Sequence, residues 1–476
     1  MEMTSEDIVM SDVFRYFFEP RSVAVIGASK TPGKAGNEIL VNLLANGYQG
    51  KIFPINPGGE EILGVPSYPS VKEVPEPIDL AVFIVPAEKT LEPLKECARK
   101  KVPAAVIASG GYAEVDQQGA DLQEEILKVA RSAGMRIIGP NTSGLTSTPA
   151  NLTTTFFPLG KVRRGPISYI AQTGNFATHT MRWINTAENF GVARVAGLGN
   201  KIDIEDSEVL EYLGRDPETK AVLMYVEGFR EPRRFLEAAR RVTRKKPVII
   251  LKGGRTKAGA ERAFSHTASL AGNDSILEGA FRQAGIARVR RYADLVNVAK
   301  GIAFQALPPG RRVSSLAPSG ALGVVVADAC ESAGLQIARH SESSLKKLRE
   351  ISASWVTISN PVDMSAITPI LGPVEAYRKV TEILLQEEGV DVIVPILLAS
   401  PRTPAEAYRF LPELSAKYPH KPIYVSFTGD HPAYAEARTY LEERSIPVFF
   451  PVEDIFEVLP ILCRCREFIS PSSLPG

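Results

Sequence analysis

Five histidines occur among the 476 residues, and one stands apart from the rest. His266 lies in Arg255–Asp274 (RTKAGAERAFSHTASLAGND), a Gly/Ala/Ser-rich stretch whose composition is that of a working loop on a scaffold. A neutral imidazole is a nucleophile and also a competent leaving group, so a histidine in such a loop can accept a group and hand it on. His179, His340, His420 and His431 lack this setting and read as satisfied surface or core residues. A second pattern sits near the start. Val23–Ser29 (VAVIGAS), followed by Gly33, Gly36 and a helix from about Asn37, puts a glycine turn where a strand meets a helix N-terminus. Free amide groups and the positive end of the helix dipole favour a phosphate there; the same residues also suit a tight turn with no ligand.

The elements that must position these residues follow from the hydrophobic pattern. Short apolar runs at Val23–Ile26, Leu80–Val85, Ala104–Ala108 and Ile137–Ile138 alternate with longer amphipathic stretches, the βαβ signature of parallel sheets covered by helices. Val85–Pro86 and Ser109–Gly110 then fall with Gly27 on one carboxyl edge, where open α/β sheets bind ligands. Asn56 stands after the second strand, where an acidic residue would hold a ribose diol, which argues against NAD and leaves room for coenzyme A. Turn-formers cluster at Pro140–Asn151 and Leu307–Gly310. Together with the length they predict three α/β domains, at 1–147, 148–307 and 311–476.

The second and third domains read as copies. Ile167–Gly174 aligns with Val313–Gly320, Lys246–Ile249 with Lys421–Tyr424, and Ala284–Ile286 with Arg444–Ile446. Only the second copy holds the His266 segment. Lys plus Arg (55) nearly balance Asp plus Glu (54), which leaves no field for nucleic acid or an anionic membrane. The start, MEMTSEDIVM, lacks the features of a signal peptide and no apolar run is long enough to span a bilayer, so a cytoplasmic location is expected. Cys97, Cys330, Cys463 and Cys465 make no framework, and buried or idle thiols are expected rather than a metal site.

VAVIGAS, FPINP, IDLAVFIVPA, IIGPN, LGNK, YVEG, KKPVIILKGGRTKAGA, SHTASLAG and SNPVDM occur in the order seen in ADP-forming acyl-CoA synthetases of the succinyl-CoA ligase superfamily, which the chain resembles over nearly its whole length. The resemblance implies three Rossmann/flavodoxin-like parallel-sheet domains: one that binds coenzyme A and two that are succinyl-CoA-ligase-like. Ser265–Gly272 resembles the family's phosphohistidine loop. It implies that His266 takes a phosphoryl group from an acyl phosphate and passes it to ADP, and that Glu227 orients the imidazole. By the same resemblance, coenzyme A lies along Gly27, Ser29, Lys34, Gly36, Asn56, Val85, Pro86, Ser109, Gly110 and Asn141. The phosphohistidine dianion needs amide donors, which the helix openings at Thr173, Gly174 and Asn175 and at Ser319, Gly320 and Ala321 can supply. No ATP-grasp pattern is present, so the resemblance implies a partner ATP-grasp beta subunit carrying ADP/ATP and Mg, in an α2β2 heterotetramer, with a small carboxylic acid or its CoA thioester as substrate.

Some positions depart from the family pattern. Thr142–Ser143–Gly144 stands where relatives have Cys and a small residue before Gly, Thr173 and Asn175 replace Ser and Ala, and Gly58 replaces a lysine, leaving Lys34 as the cation for a CoA phosphate. Phe156–Phe157 read either as acyl-pocket lining or as ordinary core. The alternative function is a CoA-sensing regulatory module related to protein acetyltransferases. Against it stand the intact His266 segment and the lack of an acetyltransferase-like stretch after Asp454.

Overall fold

The computed structural model describes residues 13–267 and 273–469, with the side chains of 175 and 263–267 outside that description. The chain forms two compact units, the first running to Arg288 and the second covering Val289–Ile469.

The first unit opens with an all-parallel sheet of β1 (Ser22–Ile26), β2 (Lys51–Ile55), β3 (Leu80–Phe83), β4 (Ala104–Ile107) and β5 (Arg136–Ile138), in the order β2-β1-β3-β4-β5. β1, β3 and β4 are buried along their whole length, which is why their sequences are unbroken apolar runs rather than alternating ones. The order reverses direction between β1 and β3, and that switch point is where a doubly wound sheet opens a crevice beyond its strand ends.

The second sheet of this unit contains β6 (Leu145–Ser147), β7 (Leu152–Thr153), β8 (Arg164–Ala171), β9 (Val192–Gly197), β10 (Ala221–Val226), β11 (Val248–Lys252) and β12 (Ala287–Val289), ordered β12-β11-β10-β8-β9-β6-β7. Its first five strands in chain order after β7 repeat the arrangement of the first sheet, and the switch point lies between β8 and β10. β6 runs antiparallel to β9. The expected domain boundary at 147 therefore falls at the end of a strand that pairs in the second sheet. The two sheets share one apolar core, in which Val23, Leu80 and Val106 join Ile170, Val222 and Ile250. Arg136 on β5 ties them at the edge, donating from Nε to Asp203 Oδ2 (2.7 Å) and from Nη2 to Glu208 Oε1 (2.9 Å).

The second unit holds β13 (Arg312–Ala317), β14 (Gln336–Ile337), β15 (Val362–Asp363), β16 (Val392–Ala399), β17 (Val425–Gly429) and β18 (Val448–Phe449). Its order is β14-β13-β16-β17-β18, with β15 also on β13. This is the same winding as β8–β12, as the aligned sequence anchors predict. The difference is local. After β17 one helix, His431–Glu442, leads to β18, whereas between β11 and β12 the chain forms Lys257–Thr267 and then Asp274–Gln283.

All four cysteines are buried and free. Among the described residues no helix is long and apolar enough to cross a membrane, and no cluster of three or more His, Cys, Asp or Glu is placed to hold a metal ion.

Candidate active site

Gly27 ends β1 with φ +94°, and a β-carbon there would lie 2.5 Å from the Ile84 carbonyl oxygen beyond β3, so only glycine fits this turn. A β-carbon on Gly36 would lie 2.0 Å from the Gly27 carbonyl oxygen. Gly36 thus lets helix Ala35–Ala45 pack directly on the turn, with its N-terminus at the switch point. Lys34 occupies the helix N-cap and is exposed. Ser29 Oγ accepts from the Thr31 amide at 3.1 Å, and its carbonyl accepts from Asn37 Nδ2 at 2.8 Å. Asn56 does not face outward as a ribose ligand would. Its Nδ2 donates to the Ala28 carbonyl (2.7 Å) and its Oδ1 accepts from the Gly58 amide (2.9 Å), locking the β2 loop to the glycine turn. A glycine cradle at a helix N-terminus with a nearby cation suits a phosphate-bearing ligand such as coenzyme A.

The other predicted contacts line the same edge. Val85 is half-buried and Pro86 exposed after β3, and Ser109–Gly110 follow β4. Asn141, after β5, adopts φ +59° and donates its amide to the Ser109 carbonyl at 2.9 Å, which brings its side-chain oxygen to 3.3 Å from the β-carbon position of Gly110.

From Asn141 the loop turns into the second sheet. The Thr142 hydroxyl donates to the Gly197 carbonyl (2.6 Å), and the Asn200 amide to the Pro140 carbonyl (2.9 Å). Ser143 then lies against Gly174, the first residue of helix Gly174–Ala187 at the switch point of the second sheet. Thr173 is that helix's N-cap and makes no capping bond with its side chain; the side chain of Asn175 is outside the described residues.

Across this switch point stands Glu227, buried at the end of β10. Its Oε1 accepts from the Tyr225 hydroxyl at 3.1 Å. Burial first, and then the Glu227 carboxylate, push the Tyr225 phenol above its usual range, so it stays a donor. The Tyr225 ring stacks on Phe176 at 3.9 Å, which fixes the hydroxyl's position. Gln172 Oε1 accepts from the amides of Glu227 (2.7 Å) and Gly228 (3.1 Å).

His266 lies on helix Lys257–Thr267, which follows β11 on the same sheet. Its side chain is outside the described residues, as are residues 268–272, so its pairing with Glu227 remains the expectation stated above. Ser319, Gly320 and Ala321 open helix Gly320–Ser332 of the second unit and are exposed; Ser319 Oγ accepts from the Leu322 amide, and Asp363 Oδ2 lies 3.1 Å from the β-carbon position of Gly320. Phe156 and Phe157 are half-buried with ring centres 4.7 Å apart, and the Phe157 carbonyl accepts from Asn42 Nδ2.

Several residues that matter here carried no sequence signal. Glu114 Oε1 accepts from the Gly111 amide (2.8 Å) and its Oε2 from Asn200 Nδ2 (2.6 Å), joining the loops of the two sheets. Burial raises its carboxyl, but these hydrogen bonds outweigh that and hold it below the usual range. Gln172 was visible only as part of a helix opening, and Tyr225 as a strand residue. Gln172 meets its partners 55 and 56 positions away in the chain, and Tyr225, bonded to Glu227 two positions on, is held by the ring of the distant Phe176.

Comparison with known proteins identifies the families to which the two sheets of the first unit belong. The CoA binding domain family matches residues 21–148, and the succinyl-CoA ligase like flavodoxin domain family matches residues 164–302. The chain is 36% identical to the ADP-forming acetate–CoA ligase II subunit alpha of Pyrococcus furiosus, over 92% of this chain and 95% of that one. It is 37% identical to the Archaeoglobus fulgidus ADP-forming acetate–CoA ligase II, over 94% of this chain but 66% of that longer protein. Among solved structures, the dinucleotide forming acetyl-coenzyme A synthetase 1 of Ca. Korarchaeum cryptofilum, in complex with phosphate and ADP, superposes with a TM-score of 0.89 at 32% identity, covering 98% of this chain and all of that one. These relatives are ligases and synthetases, and the CoA-sensing alternative gains no support from them. On the strength of its similarity to the Pyrococcus subunit over 92% of this chain and 95% of that one, the chain belongs to the family of ADP-forming acetate–CoA ligases.

Proposed function

We propose that this chain is the coenzyme A-binding, phosphohistidine-carrying part of an ADP-forming acid–CoA ligase, catalysing acyl-CoA + ADP + phosphate = acid + ATP + CoA. In this reading a phosphate oxygen attacks the thioester carbonyl, the C–S bond breaks and CoA leaves as its thiolate. An imidazole nitrogen of His266 then attacks the phosphorus of the acyl phosphate, breaking the bond to the acyl oxygen and releasing the carboxylate. A terminal oxygen of ADP finally takes the phosphoryl group and the P–N bond breaks. Glu227 orients the imidazole and offsets the positive charge that develops on it.

The observation that carries the reading is the continuity of the site. The glycine turn at Gly27 shares an edge with Gly110–Asn141, and Asn141–Ser143 leads to Gly174 and the buried Glu227 in one unit. A thioester held on the first sheet would thus meet phosphate at the switch point of the second. Residues 1–147, 148–307 and 311–476 serve as coenzyme A, phosphohistidine and second ligase-like domains. In this reading the nucleotide and its Mg belong to an ATP-grasp beta subunit, in an α2β2 assembly in the cytoplasm. The name of the Pyrococcus relative, a subunit alpha, supports a partner of this sort. The test is to incubate the chain with radiolabelled acetyl phosphate. Acid-labile phosphate on His266 supports the reading, and its absence in the presence of the partner overturns it.

A further inference from the structure

The Glu227–Gly228 dipeptide has all four of its backbone polar groups held by buried side chains. Gln172 Oε1 accepts from both amides. Lys252 Nζ donates to the Glu227 carbonyl at 2.6 Å, and Lys201 Nζ donates to the Gly228 carbonyl at 2.8 Å. Gln172, Lys201 and Lys252 are 5%, 3% and 4% exposed, so the side chains of this cage are buried, while Gly228 itself is half-buried. The two ammonium groups differ in what else they meet. Lys201 is paired with Asp206 Oδ2 at 2.7 Å, whereas Lys252 adds only the Gly253 carbonyl and, among the described residues, forms no ion pair.

Taking an ammonium group out of water is costly, and a turn at the end of a strand can leave its carbonyls to solvent or to a small neutral donor. Two buried lysines converging on one dipeptide are more than the turn itself requires. The residue they secure is the carboxylate that the proposed phosphoryl step needs. Burial pushes the Lys252 ammonium below the usual lysine range, Arg288 adds to that push, and the Glu227 carboxylate opposes it, so Lys252 and Glu227 feel each other electrostatically as well as through the backbone.

We propose that Lys252 and Lys201 are positioning residues for the phosphoryl step, clamping Glu227–Gly228 against Gln172 so that the Glu227 carboxylate is presented in one place beside the Gln172–Gly174 turn. They act through Glu227 and do not touch the reacting atoms. The inference rests on the role proposed for Glu227, and its test separates the two. The rate of His266 phosphorylation from acetyl phosphate is measured in the full chain with its partner for the wild type, Lys252→Met, Glu227→Gln and the double variant. Each single change is expected to slow phosphorylation by about 10²-fold, with KM for acetyl phosphate and affinity for coenzyme A nearly unchanged, and the double variant is expected to be no slower than the slower single by more than about threefold. A residue that merely stabilised the fold would not show this lack of additivity. Multiplied losses in the double variant, or a wild-type rate in Lys252→Met, overturn the clamp while leaving Glu227 in its role. A wild-type rate in Glu227→Gln overturns both. If thermal unfolding shows that Lys252→Met does not fold, Lys201→Met goes through the same cycle with the same outcomes deciding.

Discussion

Ser143 and Gly174 touch at the seam between the two sheets of the first unit: a β-carbon at position 174 would lie 3.1 Å from the Ser143 amide nitrogen and 3.2 Å from its Cβ. The loop that leaves the first sheet is therefore seated on the N-terminus of the helix that begins at the second sheet's switch point. A branched side chain at 174 would lift that loop. Gly174→Val is expected to reduce overall turnover by about 10²-fold, the scale of loss when reacting groups are displaced by about 1 Å. Steady-state assay with the partner present checks this, and turnover close to wild type would show that the seam does not set the geometry.

The glycine turn gives a second prediction. Gly27→Ala combines φ +94° with a β-carbon 2.5 Å from the Ile84 carbonyl oxygen, so the turn must open. Backbone strain of about 1–3 kcal/mol is expected as a lower melting temperature, together with weaker coenzyme A binding by calorimetry. In the wild type the same calorimetry should show a preference for coenzyme A over NAD, since Asn56 is engaged with Ala28 and Gly58; equal binding of the two would count against the assignment of this edge.

The covalent step is tested at its two named groups. His266→Ala should abolish phosphate incorporation and ATP formation while coenzyme A still binds. Glu227→Gln keeps the shape and removes the charge, and should slow incorporation by roughly 10²–10⁴, the range for positioned acid–base groups. ATP made from acyl-CoA, ADP and phosphate by His266→Ala would refute the carrier role.

An acid-range prediction concerns the second unit. Burial pushes the Glu387 carboxyl up, but hydrogen bonds from the hydroxyls of Ser344 and Ser341 and from the amides of Ser341 and Gly389 win and hold it at about 2. Its folded value lies below the ordinary 4.5, so its stabilising contribution is complete above pH 4.5 and is lost as pH falls towards 2. Denaturant unfolding of wild type and Glu387→Gln across that window should show the wild-type advantage shrinking with acid. A constant difference would mean that the carboxylate is not held in its ionised form.

Phosphoryl delivery should need a second protein. The chain alone is expected to make no ATP from ADP and acetyl phosphate until an ATP-grasp partner is added, at which point activity should appear and the two should co-elute. Full turnover by the chain alone would remove the need for the partner.

Much of the site was legible in the residue order because its parts are local. Val23–Ser29 with Gly33 and Gly36 states a strand, a turn and a helix start within a short span, and β1 with helix Ala35–Ala45 realises it. The doubling of β8–β12 in β13–β18 was equally readable, because strand-end motifs such as Gln172–Gly174 and Pro318–Gly320 recur at matching places in the winding. The clamp on Glu227 was not readable. Lys201 and Lys252 are 27 and 25 positions from the carbonyls at Gly228 and Glu227 that they hold, and nothing in their own neighbourhoods marks them as buried.

By itself, then, the sequence determined the alternation of strands and helices, the glycines that the turns require and the identity of the groups able to do chemistry. These depend on side-chain period and backbone sterics within a few residues, so they are written where they act. Tertiary structure alone decided that Leu145–Ser147 pairs with β9, that the Asn141–Ser143 loop joins two strand edges, and that Gln172, Lys201 and Lys252 converge on one dipeptide. Such contacts arise when separate strands are stacked side by side, and the free energy that selects them, burial of apolar faces with every enclosed polar group satisfied, is a property of the assembled sheets rather than of any segment.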